Sequence, residues 1–271
     1  MREPYLGAAV GKKNSGKTFI TERMIRDYVR GHPERGVPAR RVLIMDVNDE
    51  YENVRAIALE HIVRFSVHTK IEARRIRPFQ SDGTRMTLDE VSDTLHQILF
   101  YFRGGLLLIE DPNKYISDNL PQDVIGAICT NRHVDLDIIM HFQGIGRITP
   151  KIWQNLNWLR FHKNTQSVDQ HRDKFEDKYE LLKVVELMVN HQYYDLRNKY
   201  YYAYVDIENE KLVGNYGKDN LEWALDKYIS TSFNKVVKPL MNEQTPSGQK
   251  KFNAEEAAKE VKRRFYTNYI S

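Results

Sequence analysis

Residues 11–18 place glycine, lysine and a hydroxyl residue at the spacing G-x-x-x-x-G-K-[ST]. Glycines at the bends of such a loop let successive backbone N–H groups converge on a phosphate. The lysine can then reach the outer phosphates, and the hydroxyl oxygen can ligate Mg²⁺. The pattern therefore predicts nucleotide binding. The residues predicted to bind the nucleotide are Gly11, Asn14, Ser15, Gly16, Lys17, Thr18 and Phe19.

Two adjacent acids, Glu110 and Asp111, follow the apolar run 106–109. Hydrolysis at a phosphate loop needs one carboxylate for Mg²⁺ and another to polarise the attacking water, both at the carboxyl end of a central strand. Either Glu110 holds the metal together with Thr18 and Asp111 serves the water, or these roles shift by one residue. Acids that end a strand are also common turn residues, and the upstream phosphate loop is what favours catalysis.

Gln143 follows the next predicted strand, residues 137–142. An amide at the end of a strand beside the acids can sense the γ-phosphate or orient water. A lone glutamine after a strand indicates little. Its position as the third matching part, after the phosphate loop and the acid pair, makes it a predicted catalytic residue.

Apolar runs alternate with segments of helical periodicity, which predicts an α/β fold with a mostly parallel central sheet flanked by helices. Strands are predicted near residues 5–10, 42–46, 104–111, 137–142 and 158–162, with short extended pieces near 62–65 and 76–79. Helices are predicted after the phosphate loop, over 121–131, and from Thr87, which forms a capping box with Glu90.

The second half of the chain is more strongly charged, and we expect three segments: a nucleotide-binding core over 1–165, a helical and hairpin extension over 166–230, and a basic linker with a C-terminal helix over 231–271. The hairpin is predicted from residues 200–206 and 211–216. Asn253 and Glu256 form a second predicted capping box. The tail's eight basic and four acidic residues could attract nucleic acid, although a solvated charged helix is the commoner explanation.

The composition limits the other classes of protein. Charged residues make up 29% of the 271 residues, and no apolar run could span a bilayer. Cys129 is the single cysteine, which excludes an internal disulfide and a cysteine-based zinc site. The nine histidines lack the spacing of a metal motif. We therefore expect a cytoplasmic protein with no membrane segment and no metal other than Mg²⁺.

Three segments together resemble the FtsK/HerA superfamily of DNA-pumping ATPases, which includes the genome-packaging ATPases of many viruses. They are the phosphate loop, residues 42–51 with Asp46 before Glu50-Tyr51, and residues 131–143 with Arg132 and Gln143. The resemblance covers residues 5–163. The Glu110-Asp111 order departs from the usual Asp-Glu order of such motors. Zonular-occludens-type assembly ATPases of filamentous phages are similar, but less closely.

The resemblance implies an additional-strand, RecA-like P-loop NTPase that uses ATP and Mg²⁺ and acts on DNA, most simply double-stranded. It further implies a homo-oligomeric ring, a pentamer or hexamer, in which a neighbour's arginine completes each nucleotide site. Arg132 is the first candidate, and Arg147 and Arg160 are the others. A portal or capsid protein is a further implied partner. A viral member would work in the host cytoplasm or on the virion.

Two other functions and one further segment stay open. A small-molecule P-loop kinase would need an acceptor site, and the matches at 46–51 and 132–143 would then be accidental. A nucleotide-binding virion assembly protein with weak hydrolysis would suit the reversed acids. The basic run 70–77 is a candidate DNA-gripping loop, with a plain charged turn the simpler interpretation.

Overall fold

The apolar runs of the first half of the chain form the strands of a sheet. The computed structural model describes residues 4–115, 126–128 and 131–270, and the chain divides into two units, Met1–Trp158 and Leu159–Ser271. Five strands lie within the described residues of the first unit. They are β1, Leu6–Val10; β2, Arg41–Met45; β3, Ala73–Ile76; β4, Gly105–Glu110; and β5, Leu136–Phe142.

These five strands lie side by side in the order β3-β2-β4-β5-β1, and every neighbouring pair is parallel. Strands that are covered on both faces are buried along their whole length, as β1, β4 and β5 are, and in β1 and β4 the buried residues are almost wholly apolar. The register pairs Met45 with Ile109 and Val10 with Phe142, so the carboxyl ends meet at one edge. Open parallel sheets bind their ligands beyond that edge. The phosphate loop and Gln143 follow strands that end there, and the acid pair consists of the last residue of β4 and the residue after it.

In the described part of the first unit, four helices with both ends described accompany the sheet: α1, Lys17–Arg30; α2, Ile62–Val67; α3, Leu88–Tyr101; and α4, Pro150–Gln154. Helix α1 packs Ile25 into a cluster with Val42 and Leu108 of the sheet. Helix α3 begins after Thr87, and the predicted capping box with Glu90 is confirmed. The helix predicted over 121–131 falls mainly outside the described residues. Within this range, residues 126–128 are described and are helical.

The prediction of an extended segment at 62–65 is wrong, because these residues form α2. Ile62 and Phe65 are buried one turn apart while Val63 is exposed. Phe65 stacks on Phe102 with ring centroids 5.9 Å apart. A six-residue segment with two buried positions is too short for its periodicity to distinguish a helix from a strand.

The basic run 70–77 contributes strand β3 rather than a turn or a loop that could grip DNA. Each of its arginines is paired with a carboxylate, and the interpretation as a DNA-gripping loop is therefore corrected. The pairs are Arg74 with Glu72 at 2.6 Å, Arg75 with Asp46 at 2.7 Å and Arg77 with Asp49 at 2.6 Å.

The second unit contains a β-hairpin and several helices. Strand β6, Trp158–Phe161, begins at the last residue of the first unit, and the predicted hairpin is confirmed as antiparallel β7 and β8. No helix of the described residues is long and apolar enough to cross a membrane. The remaining elements are α5, Tyr179–Tyr194; β7, Ala203–Asp206; β8, Lys211–Val213; α6, Lys218–Thr231; α7, Phe233–Val236; α8, Lys238–Met241; and α9, Ala254–Tyr269.

The C-terminal residues pack within the second unit. Helix α9 begins after Asn253 with the predicted capping box, and Ala257 and Val261 pack with Ile229 of α6. Lys262 pairs with Glu222 at 3.0 Å and with Asp226 at 2.7 Å. Arg263 and Arg264 both donate to Glu260 and lower the pKa of that carboxyl to about 2. Acidic partners therefore neutralise part of the charge that made the tail a nucleic-acid candidate.

Candidate nucleotide and metal site

The phosphate loop joins β1 to α1 and bends through two left-handed residues. Asn14 has a φ of 62° and Gly16 a φ of 85°. Gly16 directly precedes α1, and within the described part of the chain no side chain caps that helix. The first N–H groups of a helix lack acceptors inside the helix, and the helix dipole adds positive potential there. This end of α1 therefore fits an anion such as a phosphate.

Lys17 is held at the loop by the loop's own backbone. Its Nζ donates to the carbonyl oxygen of Gly11 at 2.7 Å and to that of Lys12 at 3.1 Å. Ser15 is buried in the loop, whereas Phe19 exposes 60% of its surface on the first turn of α1. The ammonium group thus lies where the loop would wrap a phosphate, and the Phe19 ring is accessible to a larger ligand.

A buried carboxylate anchors the loop after β2. Asp46 is fully buried, and its two oxygens accept the backbone N–H groups of Glu50 at 2.9 Å and Tyr51 at 3.0 Å. Arg75, itself buried, pairs with Asp46. Asp49 turns the chain with a φ of 57°. The ion pair between β2 and β3 therefore determines the path of the loop.

Replacement of Asp46 by alanine is expected to lower the free energy of unfolding by about 3–5 kcal/mol. It removes the buried acceptor of two backbone N–H groups and one of the two carboxylates that pair with Arg75, the other being Asp49. Urea unfolding followed by circular dichroism measures the change. Glu52→Ala, at an exposed acid of the same loop, is the control and should change stability by less than about 0.5 kcal/mol. Equal stabilities of the two variants would contradict a structural role for Asp46.

Three side chains of this loop contact the predicted site residues. Sequence reasoning proposed none of them for catalysis, although Glu50 and Tyr51 belong to the segment that resembles the motor ATPases. The loop thus connects β2 with both acids and with the phosphate loop. The contacts are Asn48 Nδ2 to Asp111 Oδ2 at 3.1 Å, Thr18 Oγ1 to Glu50 Oε2 at 3.4 Å, and Tyr51 OH to Glu110 Oε1 at 2.6 Å.

Glu110 belongs to a buried polar cluster behind the site. In addition to accepting from Tyr51, its Oε1 lies 2.9 Å from Nδ1 of His141, and Nε2 of His141 lies 2.8 Å from Oγ1 of Thr21 in α1. Burial alone would raise the pKa of Glu110, but the adjacent imidazole and the tyrosine hydroxyl hold that pKa below its usual value. The cluster connects α1, β4 and β5 beneath the phosphate loop.

The backbone of Asp111 is left-handed, with a φ of 42°, so its side chain does not continue the strand pattern of Glu110. Its Oδ2 accepts from Nε2 of Gln143 at 3.1 Å and lies 3.0 Å from Nζ of Lys114, besides the contact with Asn48. Burial would raise the pKa of Asp111, but these donors outweigh it and lower the pKa. The carboxylate is ionised at neutral pH, and Gln143, the residue after β5, lies beside it.

Asp111 faces a cavity of about 220 Å³ at the carboxyl edge of the sheet. The cavity is large enough for several waters or a small polar group. Lys114, which sequence reasoning missed, also donates to Oδ1 of Asn48 at 2.5 Å. The residues that line the cavity are Asp111, Asn113, Lys114, His141, Phe142, Gln143 and Arg147.

The three arginine candidates differ in their surroundings. Arg147 is exposed at the cavity. Arg160 is fully buried, so it cannot reach a neighbouring subunit, and this candidate is corrected. Arg132 lies in the turn Asn131–Val134, and its side chain falls outside the description.

The donor set fits a Mg²⁺ ion that a nucleotide brings with it. Across residues 4–115, 126–128 and 131–270, no three histidine, cysteine or acidic side chains are grouped as a metal site. Mg²⁺ at nucleotide sites uses phosphate oxygens, waters and only one or two protein oxygens. Thr18 supplies such an oxygen. The metal role predicted for Glu110 stays a prediction, and in the structure Oε1 of its carboxylate is held by Tyr51 and His141.

A parallel sheet with a phosphate loop after β1, acids after β4 and an amide after β5 defines the P-loop NTPase fold. This is the fold class that the sequence predicts. Among solved structures, the chain is similar to "the genome packaging NTPase B204 from Sulfolobus turreted icosahedral virus 2 in complex with ATP-gammaS". The TM-score is 0.53 at 15% identity, and the match covers 79% of this chain and 97% of that one.

Two further structures agree. The B204 protein of Sulfolobus turreted icosahedral virus 2 in complex with AMP matches with a TM-score of 0.55 at 14% identity, over 79% of this chain and 98% of that one. The DNA-packaging ATPase B204 from Sulfolobus turreted icosahedral virus matches with a TM-score of 0.51 at 13% identity, over 78% and 97%. No family model and no curated protein matches the sequence. These low identities show the fold alone, and the predicted fold is confirmed.

Proposed function

We propose that this chain is a Mg²⁺-dependent ATPase that translocates double-stranded DNA, as a viral or phage genome-packaging motor. The observation that carries the proposal is the meeting of the phosphate loop with an ionised Asp111, bound to Gln143, at one edge of the sheet. The motor part is supported by the names of the structures with this fold, a genome packaging NTPase and a DNA-packaging ATPase.

In the proposed reaction, the N–H groups of the phosphate loop and of the N-terminus of α1 bind the phosphates of ATP. Nζ of Lys17 gives up its hydrogen bonds to the carbonyl oxygens of the loop and donates to the outer phosphates instead. Mg²⁺, when bound with the nucleotide, neutralises charge that develops on the phosphates. Asp111 accepts a hydrogen bond from the attacking water and draws off its proton, while Gln143 orients both.

The proposed ring has five or six subunits, and each nucleotide site is completed by a neighbour's arginine, Arg132 or Arg147. A guanidinium group from outside would stabilise negative charge on the transferring phosphoryl group. The exposure of Arg147 at the Asp111 cavity supports this arrangement. A portal or capsid protein as partner, and a location in the host cytoplasm or on the virion, follow from the same proposal.

Steady-state ATP hydrolysis by the purified protein tests the proposal. We expect long double-stranded DNA to raise the rate, and the rate per subunit to rise steeply with protein concentration, because each site is completed in trans. ATP turnover that does not change with DNA and that phosphorylates a small molecule would instead favour the small-molecule kinase. Very slow turnover together with stable incorporation into particles would favour the virion assembly protein.

A further inference from the structure

The hydroxyl of Thr18 donates its hydrogen to a carboxylate outside the acid pair. The acceptor is Oε2 of Glu50, at 3.4 Å, on the loop after β2. A threonine that ligates a cation uses an oxygen lone pair, so its hydrogen must be directed to an acceptor away from the cation. The sequence predicts that Glu110 holds the metal together with Thr18, whereas the observed partner of the Thr18 hydroxyl lies on the loop after β2.

Both acids after β4 are already engaged elsewhere. Glu110 is buried against Tyr51 and His141. Asp111 accepts from Asn48 and Gln143 and pairs with Lys114. These contacts are made by Oε1 of Glu110 and by Oδ2 of Asp111, and none of the contacts described for either carboxylate is with Thr18.

Glu50 is positioned for this role by the backbone beneath it. Its N–H is bound by Oδ1 of the buried Asp46, which the ion pair with Arg75 immobilises. The Glu50 side chain is exposed, so it keeps access to water while it contacts Thr18. An exposed carboxylate on a fixed backbone can accept from Thr18 and from water bound to a cation.

We infer that Glu50, rather than Glu110, is the carboxylate that orients Thr18 toward Mg²⁺ and accepts hydrogen bonds from the water shell of that ion. Glu50 is a positioning residue, because it acts through Thr18 and water. The inference rests on the proposed ATPase function and names the protein group that makes nucleotide binding depend on Mg²⁺.

The test measures the affinity for a fluorescent, non-hydrolysable ATP analogue in EDTA and in Mg²⁺, without turnover. In Glu50→Gln we expect the affinity gained from Mg²⁺ to fall by about 10-fold or more, the usual effect of losing a partner of a metal ligand. Affinity in EDTA should stay at the wild-type value. Glu52→Gln makes the same charge change two residues away on the loop and should retain the full gain.

A double variant separates positioning from general electrostatics. If Glu50 acts through Thr18, Glu50→Gln should remove little further Mg²⁺ gain from Thr18→Ala, whereas independent effects would add. Retention of the gain in Glu50→Gln, with its loss in Glu110→Gln, would overturn the inference and leave the ATPase proposal standing. Failure of the wild-type protein to bind the analogue at all would overturn the proposed function instead. Thermal unfolding checks that each variant is folded.

Discussion

Lys17→Ala is expected to abolish ATP hydrolysis and to weaken ATP binding by roughly 10- to 100-fold, because a hydrogen bond to a charged group contributes about 1.5–3 kcal/mol. The loop and α1 still present backbone N–H groups, so residual binding should persist. Equilibrium titration with a fluorescent ATP analogue measures the affinity, and phosphate release measures the turnover.

Lys13→Ala provides the matched control for Lys17→Ala. Lys13 is an exposed lysine of the same loop, so the variant removes the same charge close to the phosphates. Its affinity and turnover should stay near the wild-type values. Tight binding and normal turnover in Lys17→Ala would exclude Lys17 from phosphate binding.

Asp111→Asn should leave ATP bound but uncleaved. The amide cannot take a proton from water, and loss of a general base typically lowers the rate by about 10²–10⁴-fold. Asparagine tolerates the left-handed backbone at this position, so the fold is expected to persist. Single-turnover hydrolysis of prebound ATP isolates the chemical step, and the affinity for ATP should change little.

Asp135→Asn is a close control for the change at Asp111. Asp135 also has a left-handed backbone, with a φ of 50°, but it precedes β5 at the opposite edge of the sheet. The variant makes the same replacement in the same backbone region and should hydrolyse ATP like the wild type. Wild-type single-turnover rates in Asp111→Asn would assign the base to another group.

Much of the fold could be predicted because it depends on local patterns. Apolar runs of four to seven residues bounded by polar turns identified β1, β2, β4 and β5. Capping boxes identified the starts of α3 and α9. The three polar elements after strands predicted one edge of the sheet as the site, since parallel strands bring their carboxyl ends together.

The different surroundings of Glu110 and Asp111 could not be predicted, because they depend on a backbone angle. An ordinary strand directs successive side chains to opposite faces, and which face meets the cavity depends on the turn at Asp111. Tyr51, which contacts Glu110, and Gln143, which contacts Asp111, are 59 and 32 residues away from these acids in the chain. Pairings at that separation leave no periodic signal in one sequence.

The pairing of Arg75 with Asp46 was missed for a similar reason. A run rich in lysine and arginine is equally typical of a DNA contact and of a solvated turn, and nothing local shows that a carboxylate 29 residues upstream is buried beside it. Glu50 illustrates the same limit. Its position in the segment that resembles the motor ATPases was a usable signal, but its contact with Thr18 exists only after β1 and β2 are folded into one sheet.

Because the backbone at Asp111 is left-handed, the substitutions at this position that preserve folding differ from those that preserve ATP hydrolysis. Glycine and asparagine suit this conformation, whereas β-branched residues are strained in it. An inactive valine variant would therefore report backbone strain and the lost carboxylate together, and an inactive glycine variant would report the carboxylate nearly alone. Saturation mutagenesis at this position thus needs abundance and turnover scored separately, because the two selections retain different residues.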